Sequence, residues 1–184
     1  MTAPQRRGLN DVVTRMWSFL APAYDLPFLQ QWVYRPPHNE VIAQLRNHGS
    51  RRIADIACGT GILSERIQRE LNPDEIYGVD MSDGMLNQAR AKSDRVQWLR
   101  APAEQLPFDD GALDAVVTTS AFHFFDQPAA LREFHRVLAP GGWWLSRRSV
   151  PGDRCCRHPP TAGGSRSTTR RLPRCASCSR TRGS

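Results

Sequence analysis

Apolar residues follow two different spacings along the middle of the chain, and this alternation predicts its secondary structure. Short apolar runs occur at residues 52–57, 75–80, 96–100, 113–119 and 142–146. Between most of them, apolar positions lie three and four residues apart, as Ile62, Leu63 and Ile67 do, which is typical of amphipathic helices. Only a short connection separates the third run from the fourth. Strands that alternate with helices and are apolar on both sides indicate a parallel sheet covered on both faces.

Capping and breaking residues predict where these helices begin and end. Ser82 and Asp126 each precede an amphipathic stretch and suit the N-cap position. Asn72 and Pro73 stop the helix that begins near Ile62. The last helix is expected to end near Pro140–Gly141.

Residues 1–49 have a different pattern, in which prolines interrupt helical spacing. Pro36 and Pro37 suit the first turn of a helix, and Gly49 suits its end. We therefore expect three regions: an N-terminal helical cap at 1–49, a sheet core at 50–146 and a tail at 147–184.

The basic charge of the chain is confined to the tail. The 184 residues have a formal net charge of +7, but residues 1–146 hold 15 basic and 17 acidic residues, a net of −2. Residues 147–184 hold ten arginines and one acid, a net of +9. The body therefore gives no reason to expect a nucleic-acid partner.

The tail lacks apolar periodicity, and we expect it to be disordered because Val150 and Leu172 are its only sizeable aliphatic residues. One interpretation is a zinc site, for which the candidate ligands are Cys155, Cys156, His158, Cys175 and Cys178. A second is a basic arm that binds nucleic acid or membranes. The favoured interpretation is a frameshift product. The body has one lysine, Lys92, against 14 arginines, which suggests a GC-rich gene, and out-of-frame GC-rich codons yield this tail's composition.

The body carries a single cysteine, Cys58, which fits a reducing compartment. No secretory leader is expected from the polar first ten residues, and no apolar stretch approaches the ~20 residues that span a bilayer. We expect a cytoplasmic protein with no metal site in its body.

A glycine turn after the first predicted strand is the strongest chemical signal. Gly59 and Gly61 allow a ligand close to the backbone, and the following helix offers unpaired N–H groups. Asp80 ends the second strand, where an acid can accept hydrogen bonds from ribose hydroxyls. A dinucleotide site would have a third glycine where Ser64 stands. Asp55, just before the turn, would repel pyrophosphate but suits the cationic sulfonium and amino groups of S-adenosylmethionine.

These motifs resemble those of class I methyltransferases, in the family's order and spacing across roughly residues 50–146. Residues 55–61, Asp-Ile-Ala-Cys-Gly-Thr-Gly, resemble motif I, and 77–82, Tyr-Gly-Val-Asp-Met-Ser, resemble the segment whose acid binds the ribose. Residues 103–116 resemble the adenine-contact loop and the fourth strand. Residues 136–142, Arg-Val-Leu-Ala-Pro-Gly-Gly, resemble the R-V-L-x-P-G-G signature. Tyr24-Asp25 resembles the first helices of the subgroup of ubiquinone/menaquinone-biosynthesis and phospholipid methyltransferases, in which the tyrosine helps cover the cofactor.

The resemblance implies an α/β, Rossmann-like fold with a mainly parallel sheet in the order 3-2-1-4-5. We expect no counterpart in residues 147–184 of the family's last helix and antiparallel strand pair, so the fifth strand should be an uncovered edge. The implied residues for binding S-adenosylmethionine are Tyr24, Asp55, Ala57, Cys58, Gly59, Gly61, Asp80, Met81, Ala103, Glu104 and Ser120. Two positions depart from the family: Ala57 replaces its first glycine, and Pro102 replaces an Asp that faces the adenine amine.

His123 follows the fourth strand at the edge where ligands sit in such sheets, and is the candidate base or acceptor-orienting group. Phe122, Phe124 and Phe125 are candidates for an apolar acceptor pocket, with core packing as the alternative. The function expected first is methyl transfer from S-adenosylmethionine to a small or lipophilic acceptor. The alternatives are an inactive cofactor-binding fragment or interaction module and, less favoured, an NAD-binding oxidoreductase.

Overall fold

The computed structural model describes residues 35–147 and the backbone of residues 156–158. The helices are α1 (Arg35–His48), α2 (Ile62–Leu71), α3 (Asp83–Arg90) and α4 (Gln127–Val137), and a 3₁₀ turn covers Phe122–Phe124. The strands are β1 (Arg52–Ile56), β2 (Glu75–Asp80), β3 (Gln97–Arg100), β4 (Leu113–Thr119), β5 (Leu138–Arg147) and β6 (Cys156–His158).

The strands form one sheet in the order β3-β2-β1-β4-β5-β6, in which the first five are parallel. This arrangement confirms the predicted fold and the 3-2-1-4-5 order. From β1 the strands are added toward one edge of the sheet, through β2 to β3, and β4 and β5 are then added on the other side of β1. Ligands of open parallel sheets bind where the order reverses, at the carboxyl ends of the central strands. That point lies beyond β1 and β4.

Two apolar clusters cover the two faces of the sheet. On one face α1 and α2 pack against the strands, and the fully buried side chains there include Val41, Leu45, Ile53 and Ile67. On the other face α4 contributes Phe134 and Val137. The segment 35–48 of the predicted cap thus packs into the same core as the sheet, whereas residues 1–34, with Tyr24, lie outside the described residues.

The helix boundaries follow the capping residues, with one exception. The Ser82 hydroxyl accepts a hydrogen bond from the Met85 N–H (3.2 Å), and the Asp126 carboxylate accepts one from the Ala129 N–H (3.3 Å), so both predicted N-caps are confirmed. The exception is the end of α4, which stops at Val137 rather than near Pro140. A proline disfavours helical geometry at the residue before it, and Leu138 instead pairs with Leu113 of β4.

The outer edge of β5 is paired, which corrects the expectation of an uncovered edge. Residues 156–158 form a short antiparallel strand whose register places His158 opposite Trp144 and Cys156 opposite Ser146. An edge strand presents unpaired backbone groups that any extended segment can satisfy, whatever its apolar pattern. The remainder of the tail, with Cys155, Cys175 and Cys178, lies outside the described residues.

Candidate functional site

The loop at residues 57–61 joins β1 to α2 at the carboxyl edge of the sheet. Three of its residues have a positive φ: Ala57 (56°), Gly59 (56°) and Gly61 (78°). Glycine adopts this conformation freely, whereas a Cβ makes it strained. The loop therefore has the shape of a glycine loop at all three positions, and Ala57 adopts it in spite of its methyl group.

The two glycines of this loop face different surroundings. A Cβ added to Gly59 would meet no atom within 4 Å, so that side of the loop is open. A Cβ added to Gly61 would lie 2.3 Å from the Trp98 ring and 2.9 Å from Ala89. Gly61 is thus required by packing behind the loop, and Gly59 is the glycine that leaves room for a ligand.

One side chain of β3 and one of the α3–β3 connection hold the loop from behind. The Trp98 indole lies against Gly61 and Gly78, and its Nε1 donates to the Ser93 carbonyl (2.9 Å). The Lys92 Nζ donates to the Thr60 carbonyl (2.9 Å). These contacts fix the rear of the loop while its front, at Gly59, stays open.

Asp80, at the end of β2, links the loop to the neighbouring strand. Its Oδ2 accepts from the Gly59 N–H (2.9 Å) and its Oδ1 accepts from the Ser82 N–H (2.8 Å). Burial raises the pKa of this carboxyl, although its backbone hydrogen bonds oppose the shift. Each oxygen retains a lone pair and the side chain is only half-buried, so the carboxylate can accept further hydrogen bonds from a ligand.

Asp55 lies beneath the loop and is 1% exposed. The Ser64 hydroxyl donates to its Oδ2 (2.7 Å). Burial raises the pKa of Asp55 to about 7; the Ser64 hydrogen bond lowers it, and the nearby charge of Asp80 raises it further. Ser64 thus occupies the third-glycine position of a dinucleotide motif because its hydroxyl serves Asp55.

Cys58 holds the loop in place through its backbone, and its thiol is not a reactive group of the site. Its N–H donates to the Val79 carbonyl (3.1 Å), which ties the loop to β2. Burial raises the pKa of the thiol well above its ordinary value, and the charges of Asp55 and Asp80 add to the shift. The thiol therefore stays protonated and unreactive at neutral pH.

The residues predicted to contact an adenine differ in exposure. Met81 is 38% exposed, one of two large hydrophobic side chains exposed in the described part of the chain. Ala103 is 5% exposed and belongs to the apolar cluster on the α4 face of the sheet. The Glu104 Oε1 accepts from the Asp126 N–H (2.8 Å) at the start of α4. Pro102 begins a turn, since its carbonyl accepts from the Gln105 N–H (3.2 Å).

The segment after β4 separates its aromatic residues into buried and exposed groups. Phe122 packs on Trp144 with 5.6 Å between ring centroids, and Phe125 packs edge-on to Phe134. Phe124 is 50% exposed, and the exposed His123 ring lies 4.0 Å from it. Core packing therefore accounts for Phe122 and Phe125, and the two rings left toward solvent are those of His123 and Phe124.

Ser120 forms the bend between β4 and this segment. It adopts a positive φ of 57°, and its N–H donates to the Arg147 carbonyl at the end of β5 (2.6 Å). The bend directs the chain across the carboxyl edge of the sheet, on the same side as the loop at 57–61.

Comparisons with known proteins agree with this geometry. The sequence profile described as "Methyltransferase domain" matches residues 53–142. A Campylobacter jejuni protein named ubiquinone/menaquinone biosynthesis C-methyltransferase UbiE is 34% identical over 144 residues, which are 72% of this chain and 61% of that protein. The chain belongs to the class I S-adenosylmethionine-dependent methyltransferase family.

Two further comparisons agree with this family. The Thermus thermophilus demethylmenaquinone methyltransferase is 37% identical over 134 residues, 69% of this chain and 61% of that protein. A solved S-adenosylmethionine-dependent methyltransferase from Thermotoga maritima has a TM-score of 0.58 at 27% identity, and the match covers 72% of this chain and 59% of that one. The chain thus spans about three fifths of the length of its curated relatives. Among its described residues, none forms a helix long and apolar enough to cross a bilayer.

The family implies S-adenosylmethionine as the methyl donor, and the residues present fit it. The open face at Gly59 admits a ligand to the backbone, and the adjacent Asp80 carboxylate favours a cation. The buried Asp55 adds a second negative charge only when it is ionised, above its pKa of about 7. Negative charge at this edge disfavours the pyrophosphate of a dinucleotide. Ala57 already adopts the backbone shape that the family's glycine would have, so its extra methyl leaves the loop intact.

Some residues that build the site have no signal in the sequence. Trp98 is part of an apolar run, and its contact with Gly61 and Gly78 depends on the β2–β3 register, which pairs Gly78 with Trp98. Lys92 is the single lysine of the chain and belongs to no motif. A spacing pattern reports secondary structure, whereas both contacts join residues from different elements.

Proposed function

We propose that this chain binds S-adenosylmethionine along the carboxyl edge of β1, β2 and β4. In this proposal Asp80 accepts from the ribose hydroxyls, and the backbone at Ala57, Cys58 and Gly59 lines the methionine part. Asp55 and Ser120 lie on the side of the cofactor's cationic sulfonium and amino groups. Met81, Ala103 and Glu104 flank the base, Gly61 shapes the loop and Tyr24 covers the site.

The observation that carries this proposal is the pairing of a fixed carboxylate with an open backbone. Asp80 holds the Gly59 N–H at 2.9 Å, so the loop and the ribose acceptor are preorganised relative to each other. The space in front of Gly59 is free of protein atoms within 4 Å of a Cβ position. A ligand that combines a diol with a positive charge satisfies both features.

The acceptor that we propose is a lipophilic quinol, methylated at a ring carbon. Two relatives carry this activity in their names, a C-methyltransferase of ubiquinone/menaquinone biosynthesis and a demethylmenaquinone methyltransferase. The exposed Phe124 ring beside His123 supports an apolar, planar acceptor, because an aromatic face stacks on a quinol ring.

In the mechanism, S-adenosylmethionine supplies an electrophilic methyl group, and the chain's residues align and deprotonate the acceptor. The aromatic segment at Phe124 orients the quinol so that its nucleophilic carbon faces the methyl group. The His123 imidazole accepts the proton that the acceptor loses. We propose further that residues 1–49 cover the site and exclude water, that 50–146 form the cofactor-binding core and that 147–184 take no part in the chemistry.

Calorimetry tests the cofactor assignment on the full chain. S-adenosylmethionine should bind with micromolar affinity, and NAD should not bind. Asp80→Ala should weaken binding at least about tenfold, because it removes both the ribose acceptor and the Gly59 contact. Asp94→Ala is the matched control, which removes an exposed carboxylate, and should bind as the wild type does. Tight NAD binding, or unchanged binding by Asp80→Ala, would refute the assignment.

Methyl transfer is tested separately with isotope-labelled S-adenosylmethionine. The acceptor is a reduced 1,4-naphthoquinone with a short isoprenoid chain, and a naphthol of similar size serves as the comparison acceptor. Labelled carbon on the quinol ring supports the proposal. Cofactor binding without label transfer to either acceptor would support the inactive fragment instead.

A further inference from the structure

The connection from β3 to β4, residues 101–112, forms neither helix nor strand, although part of it is buried. Ala103 and Leu106 are 5% and 4% exposed. Buried backbone N–H and C=O groups need hydrogen-bond partners, and residues 101–112 form no helix or strand of their own in which to find them. Helix α4 supplies several of these partners instead.

Arg136, in the last turn of α4, binds this connection through both of its terminal nitrogens. Its Nη1 donates to the Phe108 carbonyl (2.8 Å), and its Nη2 donates to the Leu106 carbonyl (3.2 Å). Its own carbonyl accepts from the Gly111 N–H (2.9 Å). The ion pair with Asp110 adds little, because that carboxylate is largely exposed.

Glu133, one turn earlier, fixes the Arg136 guanidinium and also binds the connection directly. Its Oε2 accepts from the Arg136 Nε (3.0 Å), and its Oε1 accepts from the Nη2 (2.6 Å). The same Oε1 accepts from the Leu106 N–H (2.8 Å). The Arg136 hydrogen bond holds the pKa of Glu133 below its ordinary value, so the pair stays charged. This double contact needs the planar fork of an arginine.

The connection is attached to α4 at both ends of the helix. At the start of the helix, the Glu104 carboxylate accepts a hydrogen bond from the Asp126 N–H. At its end, Arg136 and Glu133 form hydrogen bonds with the backbone of residues 106–111. These two attachments are about 15 Å apart along the helix axis. The path of Ala103 and Glu104, which are proposed to flank the base, is therefore set by α4.

We propose that Arg136 and Glu133 are positioning residues that set the adenine specificity of the cofactor site. This inference rests on the proposed function, since it concerns the base of the same cofactor. With Pro102 in place of a carboxylate, recognition of the base depends on backbone groups of the residues that follow it, Ala103 and Glu104, whose direction is fixed by the attachment of residues 104–111 to α4. A backbone group discriminates between donor and acceptor only when its direction is fixed.

The test compares S-adenosylhomocysteine with S-inosylhomocysteine, in which the donor and acceptor positions of the base edge are reversed. The wild type should prefer the adenosyl ligand at least about tenfold. Arg136→Lys should reduce that preference to within about twofold, mainly by weakening the adenosyl ligand. Glu133→Gln, which keeps an acceptor for Leu106, should give an intermediate preference. Arg132→Lys, an exposed arginine on the same helix, should retain the wild-type ratio.

A purely structural role predicts a different result: lower stability to urea with an unchanged ratio between the two ligands. That outcome overturns the proposal, as does a preference in Arg136→Lys equal to that of the wild type. If the wild type binds neither ligand, the proposed function fails and amide exchange decides the inference. The Leu106 amide should then exchange at least about tenfold faster in Arg136→Lys than in Arg132→Lys. Equal rates in the two variants would refute the positioning.

Discussion

Asp55 is predicted to lower the free energy of unfolding as pH rises from about 4 to about 7, and Asp55→Asn should remove that pH dependence. The carboxyl is 1% exposed, and its pKa is about 7 in the folded chain against 3.8 ordinarily. Between these two values the folded chain keeps a proton that the unfolded chain releases, so the free energy of unfolding falls as pH rises. The difference corresponds to about 4 kcal/mol above pH 8.

The measurement is urea denaturation of both proteins at pH 5 to 8, followed by tryptophan fluorescence. Asparagine can still accept from Ser64 but buries an amide that lacks a partner, so the absolute change in stability is not the readout. The readout is the pH dependence of the difference between variant and wild type. That difference should shift in favour of Asp55→Asn by about 2–3 kcal/mol from pH 5 to pH 8.

Two controls separate this effect from general titration. Asp94→Asn, at an exposed position, should follow the wild-type pH profile throughout. If Asp55 faces the cofactor's positive charge, S-adenosylmethionine binding should also strengthen with pH, by up to about tenfold per unit below pH 7, and this dependence should disappear in Asp55→Asn. A stability difference that stays constant within about 0.5 kcal/mol across the range would refute the reasoning.

Three further substitutions test the loop and the acceptor segment. Gly78→Ala should lower the free energy of unfolding by about 1–3 kcal/mol, because its Cβ would lie 2.3 Å from the Trp98 ring, and Trp98→Leu in the same chain should recover part of the loss in urea titrations. Ala57→Gly should stabilise the chain by up to about 1 kcal/mol by relieving the positive φ, and a lower urea midpoint would contradict that expectation. Phe124→Ser should change stability by less than about 0.5 kcal/mol, since the ring is half-exposed, while raising the KM for the quinol; an unchanged KM would exclude contact with the acceptor.

Local patterns predicted most of the fold. The strands at 75–80 and 113–119 have the predicted bounds, and Ser82 and Asp126 cap the helices expected of them. These features depend on residues within a few positions of each other. The end of α4 was missed because the Leu138–Leu113 pairing, a contact between distant segments, competes with helix propagation. The β6 pairing was missed for the same reason, since backbone hydrogen bonding leaves no apolar signature.

The sequence predicted which residues meet at the site, but not which of them face a ligand and which face other side chains. Asp55, Gly59 and Asp80 meet at one edge, as the strand–turn–helix order implied. Gly61 carried the same expectation as Gly59, yet it faces Trp98. A glycine in a motif indicates a missing Cβ, and only the tertiary structure tells whether a ligand or a side chain occupies that space.

The same distinction applies to the arginine of the 136–142 motif. In the sequence, Arg136 begins the 136–142 motif near the end of a predicted helix, and no pattern indicates a contact with residues 106–111. In the structure its hydrogen bonds reach the carbonyls of Leu106 and Phe108, some thirty positions earlier in the chain. The front of the proposed cofactor site is thus built by the local glycine motif, while its rear and the side proposed for the base depend on Trp98, Lys92 and Arg136. A substitution at any of these three residues should therefore weaken cofactor binding, although none of their side chains is proposed to contact the cofactor.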